Sequence, residues 1–127
     1  LSIGGWHDGY RNTISHLVAN IEAPVKGIVG PWIHKYPHYA APEPRVGFLQ
    51  EALRWWDRWL KGVDTGVEAD PAYRAYVLDS VRPARWHSER PGRWVAEPVW
   101  PSPDIATQEV ELIAEGSKPA LVASPQS

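Results

Sequence analysis

The first thirty residues combine two hydrophobic periods. Leu1–Ile3 is short and apolar and predicts the end of a buried strand. Apolar residues then recur at helical spacing and predict an amphipathic helix over 12–21, capped by Asn12 or Thr13: Ile14, Leu17, Val18 and Ile21. The apolar run 25–30, bounded by proline and glycine, predicts a second buried strand. Strand, helix and strand in this order are typical of a parallel α/β sheet.

The next pattern is a long irregular stretch followed by a clear helix. Residues 31–45 hold four prolines, two histidines and three large aromatic residues, which predicts a long loop. Residues 46–62 carry one apolar stripe at helical spacing, formed by Leu49, Ala52, Leu53, Trp56 and Leu60. The polar residues lie on the other side of this helix, which we expect to face water. Gly62 stands where a C-terminal cap is expected.

Helical periodicity ends after residue 62. Residues 62–71 predict a linker, and alternating patterns at 72–80, 92–101 and 107–116 predict strands. We therefore divide the chain into an α/β part, residues 1–66, and a β part, residues 67–127. Three strands are too few for an independent β domain, so we expect the second part to be truncated.

The richest chemistry lies in "GGWHDGY", residues 4–10, which we expect to form a turn after the first strand. Asp8 follows the first predicted strand, and His34 follows the second. Functional sites of open α/β sheets lie at the carboxyl ends of the strands, so both side chains would reach the same edge. An aspartate that accepts from a histidine ring fixes its tautomer, and the histidine then works as general base and acid.

This pair needs a nucleophile that the sequence does not supply. None of the eight serines lies in a G-x-S-x-G elbow. In α/β-hydrolases the triad order is serine, acid and histidine, so the serine would lie before Leu1. The absence of methionine and the leucine at position 1 fit an internal fragment.

Two alternatives to the acid–base pair stay open. His7, Asp8, His34 and His38 could surround a zinc ion in a metal-dependent hydrolase. The eight tryptophans could instead form a binding surface for carbohydrate or peptide, although core packing is the commoner role. In the hydrolase interpretation, Tyr36 and His38 are candidates to line the substrate pocket.

Composition narrows the class of partner. The net charge is -2, and the 13 lysines and arginines show no patch that predicts nucleic acid or an anionic membrane as partner. No apolar run reaches the roughly 20 residues of a membrane span. The chain has no cysteine, so disulfides are excluded. We expect no metal or cofactor; oligomeric state and compartment stay open, with the cytoplasm preferred.

Three motifs in order resemble the X-Pro dipeptidyl-peptidase and cocaine-esterase-like (CocE/NonD) family of serine hydrolases. They are "GGWHDGY", "KGIVGPWIHKYPH" and "FLQEALRWWDRWLKGVDTG". The family carries its triad acid in a G-W-x-D turn and its triad histidine after G-P-W-x-H. The similarity covers residues 3–66, and more loosely 72–101, where "GRWVAEPVWP" resembles the start of the family's β domain.

The resemblance implies a fold and a set of roles. The fold would be the C-terminal part of an α/β-hydrolase sheet, followed by the start of a jelly-roll-like β-sandwich. Asp8 would be the triad acid and His34 the triad base, while Trp6 and Trp32 match the family's aromatic positions near substrate. The substrate would be a small ester, an amide or a short X-Pro peptide, cleaved through an acyl-enzyme.

Overall fold

The computed structural model describes residues 1–115 and 118–123. In chain order the elements are β1 (Ser2–His7), α1 (Thr13–Asn20), β2 (Gly27–Ile33), α2 (Phe48–Lys61), a 3₁₀ turn (Val67–Ala69), β3 (Tyr73–Leu78), β4 (Gly92–Glu97), β5 (Val110–Glu115) and β6 (Lys118–Ala123). Within this part of the chain, no helix has the length and apolar character needed to cross a bilayer.

The fold is mixed α/β around a four-stranded open sheet. Its order is β1-β2-β3-β4; β1, β2 and β3 run parallel, and β4 is antiparallel to β3. The strands β5 and β6 form a separate antiparallel pair. The predicted division at 66/67 does not separate two sheets, because β3 and β4 extend the sheet that β1 and β2 begin.

The two N-terminal strands are longer than the sequence predicted. The strand β1 continues through the two glycines, Trp6 and His7, so the turn begins only at Asp8. Gly5 makes this possible, since a Cβ there would lie 2.0 Å from the carbonyl oxygen of Trp32 on β2. The close approach of the two backbones therefore keeps "GGWH" inside the sheet.

The strand β2 runs through Pro31 and Trp32, which we had assigned to a loop. Gly5 pairs with Gly30 and His7 pairs with Ile33, so β2 advances by one residue more than β1. Proline has no N–H to donate to the ladder, and a bulge is one of the few places where a strand tolerates it. The bulge ends β2 directly before His34.

The core lies on both faces of β2. On one face Val29 packs with Ile14 and Val18 of α1 and with two residues of β3. On the other face Ile28 and Trp32 pack with Ala40 from the loop after β2. Helix α1 occupies 13–20 as its apolar spacing predicted; Asn12 precedes it, but no side-chain hydrogen bond caps it.

Helix α2 forms where its sequence predicted, but its orientation corrects the expectation. Trp55 is its buried residue, and the polar side makes ion pairs with the sheet and with the segment after the helix. Four residues of the predicted apolar stripe are between 52% and 74% exposed: Leu49, Leu53, Trp56 and Leu60. The ion pairs therefore turn the polar side of α2 toward β3 and toward the segment after the helix.

Candidate functional site

An aspartate and a histidine side chain meet at the carboxyl edge of the parallel strands. Asp8 follows β1 and His34 follows β2, and the bulge in β2 brings the two residues level. Asp8 Oδ2 lies 2.7 Å from His34 Nδ1. The strand order therefore places the pair as parallel strands predicted.

A tight turn fixes the carboxylate of Asp8. The backbone N–H of Tyr10 donates to Asp8 Oδ1 at 2.9 Å, which leaves Oδ2 to face the histidine. This backbone hydrogen bond is the largest cause that holds the pKa of Asp8 below its ordinary value. Desolvation opposes it, and the hydrogen bond and charge of His34 lower the pKa further. Asp8 is therefore an ionised acceptor at neutral pH.

The contact with Asp8 determines which nitrogen of His34 carries the proton. A carboxylate only accepts, so Nδ1–H donates to it and Nε2 is left as the basic nitrogen. The side chain of His34 is 78% exposed, whereas that of Asp8 is 11% exposed. The ring of Tyr10 lies beside the imidazole, with centroids 6.0 Å apart. The carboxylate is thus held and shielded, while the imidazole is exposed.

A cleft of about 620 Å³ opens beside this pair. The first strand and the end of β2 form its floor, and the loop after β2 with helix α2 forms its far wall. Its lining includes Ile3, Asp8, Ile33, His34, Lys35, Tyr36, Tyr39, Phe48 and Trp56. The walls are largely apolar and aromatic, as is common in pockets for small organic ligands.

Of the four predicted substrate contacts, Tyr36 lines this cleft and the other three do not. Trp32 is 0% exposed, and its indole N–H donates to the carbonyl of Pro44. The indole N–H of Trp6 donates to the carbonyl of Tyr76, 2.6 Å away. His38 stacks on Phe48, with ring centroids 5.9 Å apart. The two tryptophans therefore anchor the sheet, and His38 supports a residue of the cleft wall.

Two residues of the cleft wall escaped the sequence analysis. Phe48 lay within the predicted helix 46–62 without a role, and Trp56 belonged to its apolar stripe. Both line the cleft, because α2 turns its polar side toward the sheet and leaves Trp56 at the opening. No local pattern signals this orientation, because it depends on ion pairs of α2 with the distant residues Asp70 and Arg74.

The four residues of the zinc alternative do not all come together, since only Asp8 and His34 meet. His7 Nδ1 lies 2.6 Å from the carbonyl oxygen of Pro31, and His7 Nε2 faces Arg90, away from Asp8 and His34. Among the residues that the structure describes, no group of three histidine or acidic side chains is placed to hold a metal ion.

The tryptophans do not form one binding surface either. Trp32 and Trp55 are buried, and the indole N–H groups of Trp6 and Trp100 donate to backbone carbonyls. The exposed tryptophans are distributed over α2, the segment before β4 and β4 itself: Trp56, Trp59, Trp86 and Trp94. Core packing accounts for much of the tryptophan content, as the sequence analysis favoured.

Comparison with known proteins places this site in context. No protein-family model matches the chain. The chain is similar to one protein of Mycobacterium bovis and one of Mycobacterium tuberculosis, each named "putative serine esterase". Each is 27% identical over 121 residues, which is 90% of this chain and 17% of the relative. The chain thus spans about a sixth of the length of these relatives.

Proposed function

We propose that this chain is part of a serine hydrolase and supplies its acid and its base, Asp8 and His34. The observation that carries the proposal is the 2.7 Å contact between Asp8 Oδ2 and His34 Nδ1 at the edge of a parallel sheet. The relatives support it at the level of a hydrolase, since both are named as serine esterases.

In the proposed reaction, His34 moves the proton and Asp8 holds the ring. Nε2 of His34 takes the hydroxyl proton of a serine as its oxygen attacks the substrate carbonyl. The resulting imidazolium is stabilised by the carboxylate of Asp8, and it gives the proton to the leaving alcohol or amine. A water then repeats the sequence on the acyl-enzyme and releases the acid.

The serine in this scheme comes from outside these 127 residues. No serine is among the residues that the structure places in the lining of the cleft. The sequence also has no G-x-S-x-G elbow. Relatives about six times longer leave room for both the elbow and the oxyanion hole.

The finer class follows from the resemblance to X-Pro dipeptidyl-peptidases and cocaine-esterase-like enzymes. On that basis β1, α1 and β2, which β3 and β4 extend, are the last part of an α/β-hydrolase sheet, and a jelly-roll-like β domain begins after β4. The substrate is a small ester, an amide or a short X-Pro peptide. The aromatic wall of Tyr36, Phe48 and Trp56 suits an apolar acyl group.

Labelling with a fluorophosphonate tests the proposal. The complete protein that contains this chain should form one covalent adduct, on a serine outside residues 1–127, because only an activated serine attacks the reagent. His34→Ala should reduce the labelling rate at least about 100-fold, whereas His16→Ala, on the exposed side of α1, should leave it unchanged. An adduct on a serine within 1–127, or labelling that does not depend on His34, would overturn the proposal.

A further inference from the structure

A second cleft, of about 460 Å³, lies next to the first and shares Ile33 with it. It is formed by the end of β1, the end of β2, the loop after β2 and the segment between β3 and β4. Its charged, titratable and aromatic lining residues are His7, Arg85, Trp86, His87 and Arg90, and the other lining residues are proline or aliphatic. His7, the last residue of β1, lines this cleft, and Asp8, which follows it, lines the other.

The cleft is cationic. Arg85 and Arg90 line it together with His7 and His87, and no aspartate or glutamate is among the lining residues that the structure describes. Within the same described part of the chain, neither arginine forms a salt bridge, although most other arginines do. Two guanidinium charges in one concave surface without a carboxylate leave a positive potential at that surface.

Arg90 is held in place but is poorly satisfied. Its carbonyl accepts from the hydroxyl of Tyr76 at 3.0 Å, and its backbone N–H donates to the carbonyl of Glu43 at 2.9 Å. Its guanidinium makes only two long contacts, 3.3 Å to the carbonyl of Asp79 and 3.5 Å to His7 Nε2. Arg90 Nε is buried without a partner among the described residues. The terminal nitrogens of Arg90 therefore keep N–H donors that face no acceptor among the described residues.

His7 presents its acceptor nitrogen to the guanidinium of Arg90. A carbonyl only accepts, so His7 Nδ1 carries the proton that it donates to Pro31. In the neutral ring Nε2 is then an acceptor, and it faces the guanidinium of Arg90. The imidazole therefore presents an acceptor nitrogen that orients Arg90.

We propose that this second cleft binds a carboxylate carried on an apolar body. The arginines, with Arg90 as the ordered one, supply charge-assisted hydrogen bonds to the carboxylate. Trp86, which is 61% exposed, supplies a flat apolar surface, and the rest of the wall is mainly proline and aliphatic. This inference goes beyond the proposed hydrolase function and does not depend on it.

Titration of the 127-residue chain with three small probes tests the site. Benzoate carries both features, benzamide lacks the charge and acetate lacks the apolar body. Followed by nuclear magnetic resonance, benzoate should shift the indole N–H signal of Trp86. It should bind at least about tenfold more tightly than benzamide, the difference expected for one charge-assisted hydrogen bond. Acetate should bind with an affinity at least about fivefold lower than that of benzoate, because it buries less apolar surface.

Matched arginine variants locate the binding. Arg90→Gln and Arg85→Gln should each weaken benzoate by about tenfold. Arg93→Gln removes the same charge from an arginine that lines neither cleft, and should change the affinity less than about twofold. Circular dichroism confirms folding, and if Arg90→Gln does not fold, Arg85→Gln and Trp86→Leu carry the test.

Three results would overturn the proposal. Equal affinity for benzoate and benzamide would show that the cleft does not recognise the carboxylate. Equal affinity for acetate and benzoate would show that it does not recognise the apolar body. Benzoate shifts at Tyr36 and His34, without any at Trp86, would assign the binding to the first cleft.

Discussion

At the scale of the residue, the site depends on how Asp8 is held. Tyr10 N–H fixes one carboxylate oxygen and His34 uses the other, so the acid has a single geometry toward the base. The residue type and its place after a strand were readable in the sequence. The sequence did not show which group pairs with each carboxylate oxygen of Asp8. One partner depends on the geometry of a turn, and the other, His34, lies 26 residues away after a second strand.

The lowered pKa of Asp8 predicts an acid-dependent loss of stability. Since the folded-state pKa is the lower one, the unfolded chain binds more protons at acid pH. The contribution is fully present above the unfolded pKa of about 3.9 and is lost as the pH falls through the folded one. The difference in unfolding free energy between the wild type and Asp8→Asn should therefore shrink below about pH 4.

Urea unfolding at a series of pH values measures this difference. Asp104→Asn is the matched control, because Asp104 is exposed and no described residue donates to its carboxylate. The difference in unfolding free energy between the wild type and Asp104→Asn should not shrink in this way below about pH 4. A wild-type advantage over Asp8→Asn that grows as the pH falls would contradict the assignment of Asp8 as an ionised acceptor.

At the scale of the element, local patterns predicted which segments are regular better than where they end and which face they bury. The 3.6-residue spacing of Ile14 and Val18 located α1, since both residues pack on the sheet. Pro31 argued against a strand, and only the bulge against β1 explains why β2 continues. The burial of the polar side of α2 follows from its ion pairs with distant residues, which no local pattern contains.

Substitution of Gly5 should break the contact between β1 and β2. A Cβ at position 5 would lie 2.0 Å and 2.6 Å from the carbonyl atoms of Trp32, and backbone there cannot move without opening the sheet. We expect Gly5→Ala to cost more than about 3 kcal/mol in denaturant unfolding. Gly9→Ala, where nothing lies within 4 Å of the added Cβ, should cost less than about 1 kcal/mol. Equal costs at the two positions would contradict the strand pairing.

The half-buried pair between α2 and β3 should hold the helix in place. Arg74 makes two parallel 2.9 Å hydrogen bonds with Glu51, and these raise the pKa of Arg74 above its ordinary value. Glu51→Gln should cost about 2 kcal/mol of unfolding free energy, because it leaves the guanidinium partly unpaired. Asp57→Asn is the control: it removes a 2.6 Å pair to the exposed Lys61 and should cost less than about 0.5 kcal/mol. If both cost the same, the pair with Arg74 does not fix the helix.

At the scale of the whole molecule, the central feature is a cleft that holds a paired carboxylate and imidazole but no serine among the described residues that line it. The acid and base could be proposed from the sequence, because parallel strands deliver their following residues to one edge. The second cleft could not be predicted from the sequence, since its residues come from four separate segments. The only local signal was the density of arginine in 82–93, where four of the 13 basic residues lie.

The 127-residue chain by itself should be inactive. Because its sequence has no G-x-S-x-G elbow, it should hydrolyse p-nitrophenyl acetate no faster than free imidazole at the same concentration of imidazole groups. A faster rate that disappears in His34→Ala would show that the nucleophile lies within these residues.

Turnover of one activated ester by the complete protein and three of its variants tests the central claim most directly. Asp8→Asn should leave the fold intact and lower turnover at least about 100-fold; in the serine-protease triad the corresponding change costs about 10⁴. His34→Ala should cost at least as much, because it removes the group that moves the proton. His38→Ala should cost less than about tenfold, since His38 stacks on Phe48 behind the cleft wall and does not contact Asp8. If turnover survives in His34→Ala, or if His38→Ala is as damaging as His34→Ala, Asp8 and His34 are not the acid and base of this protein.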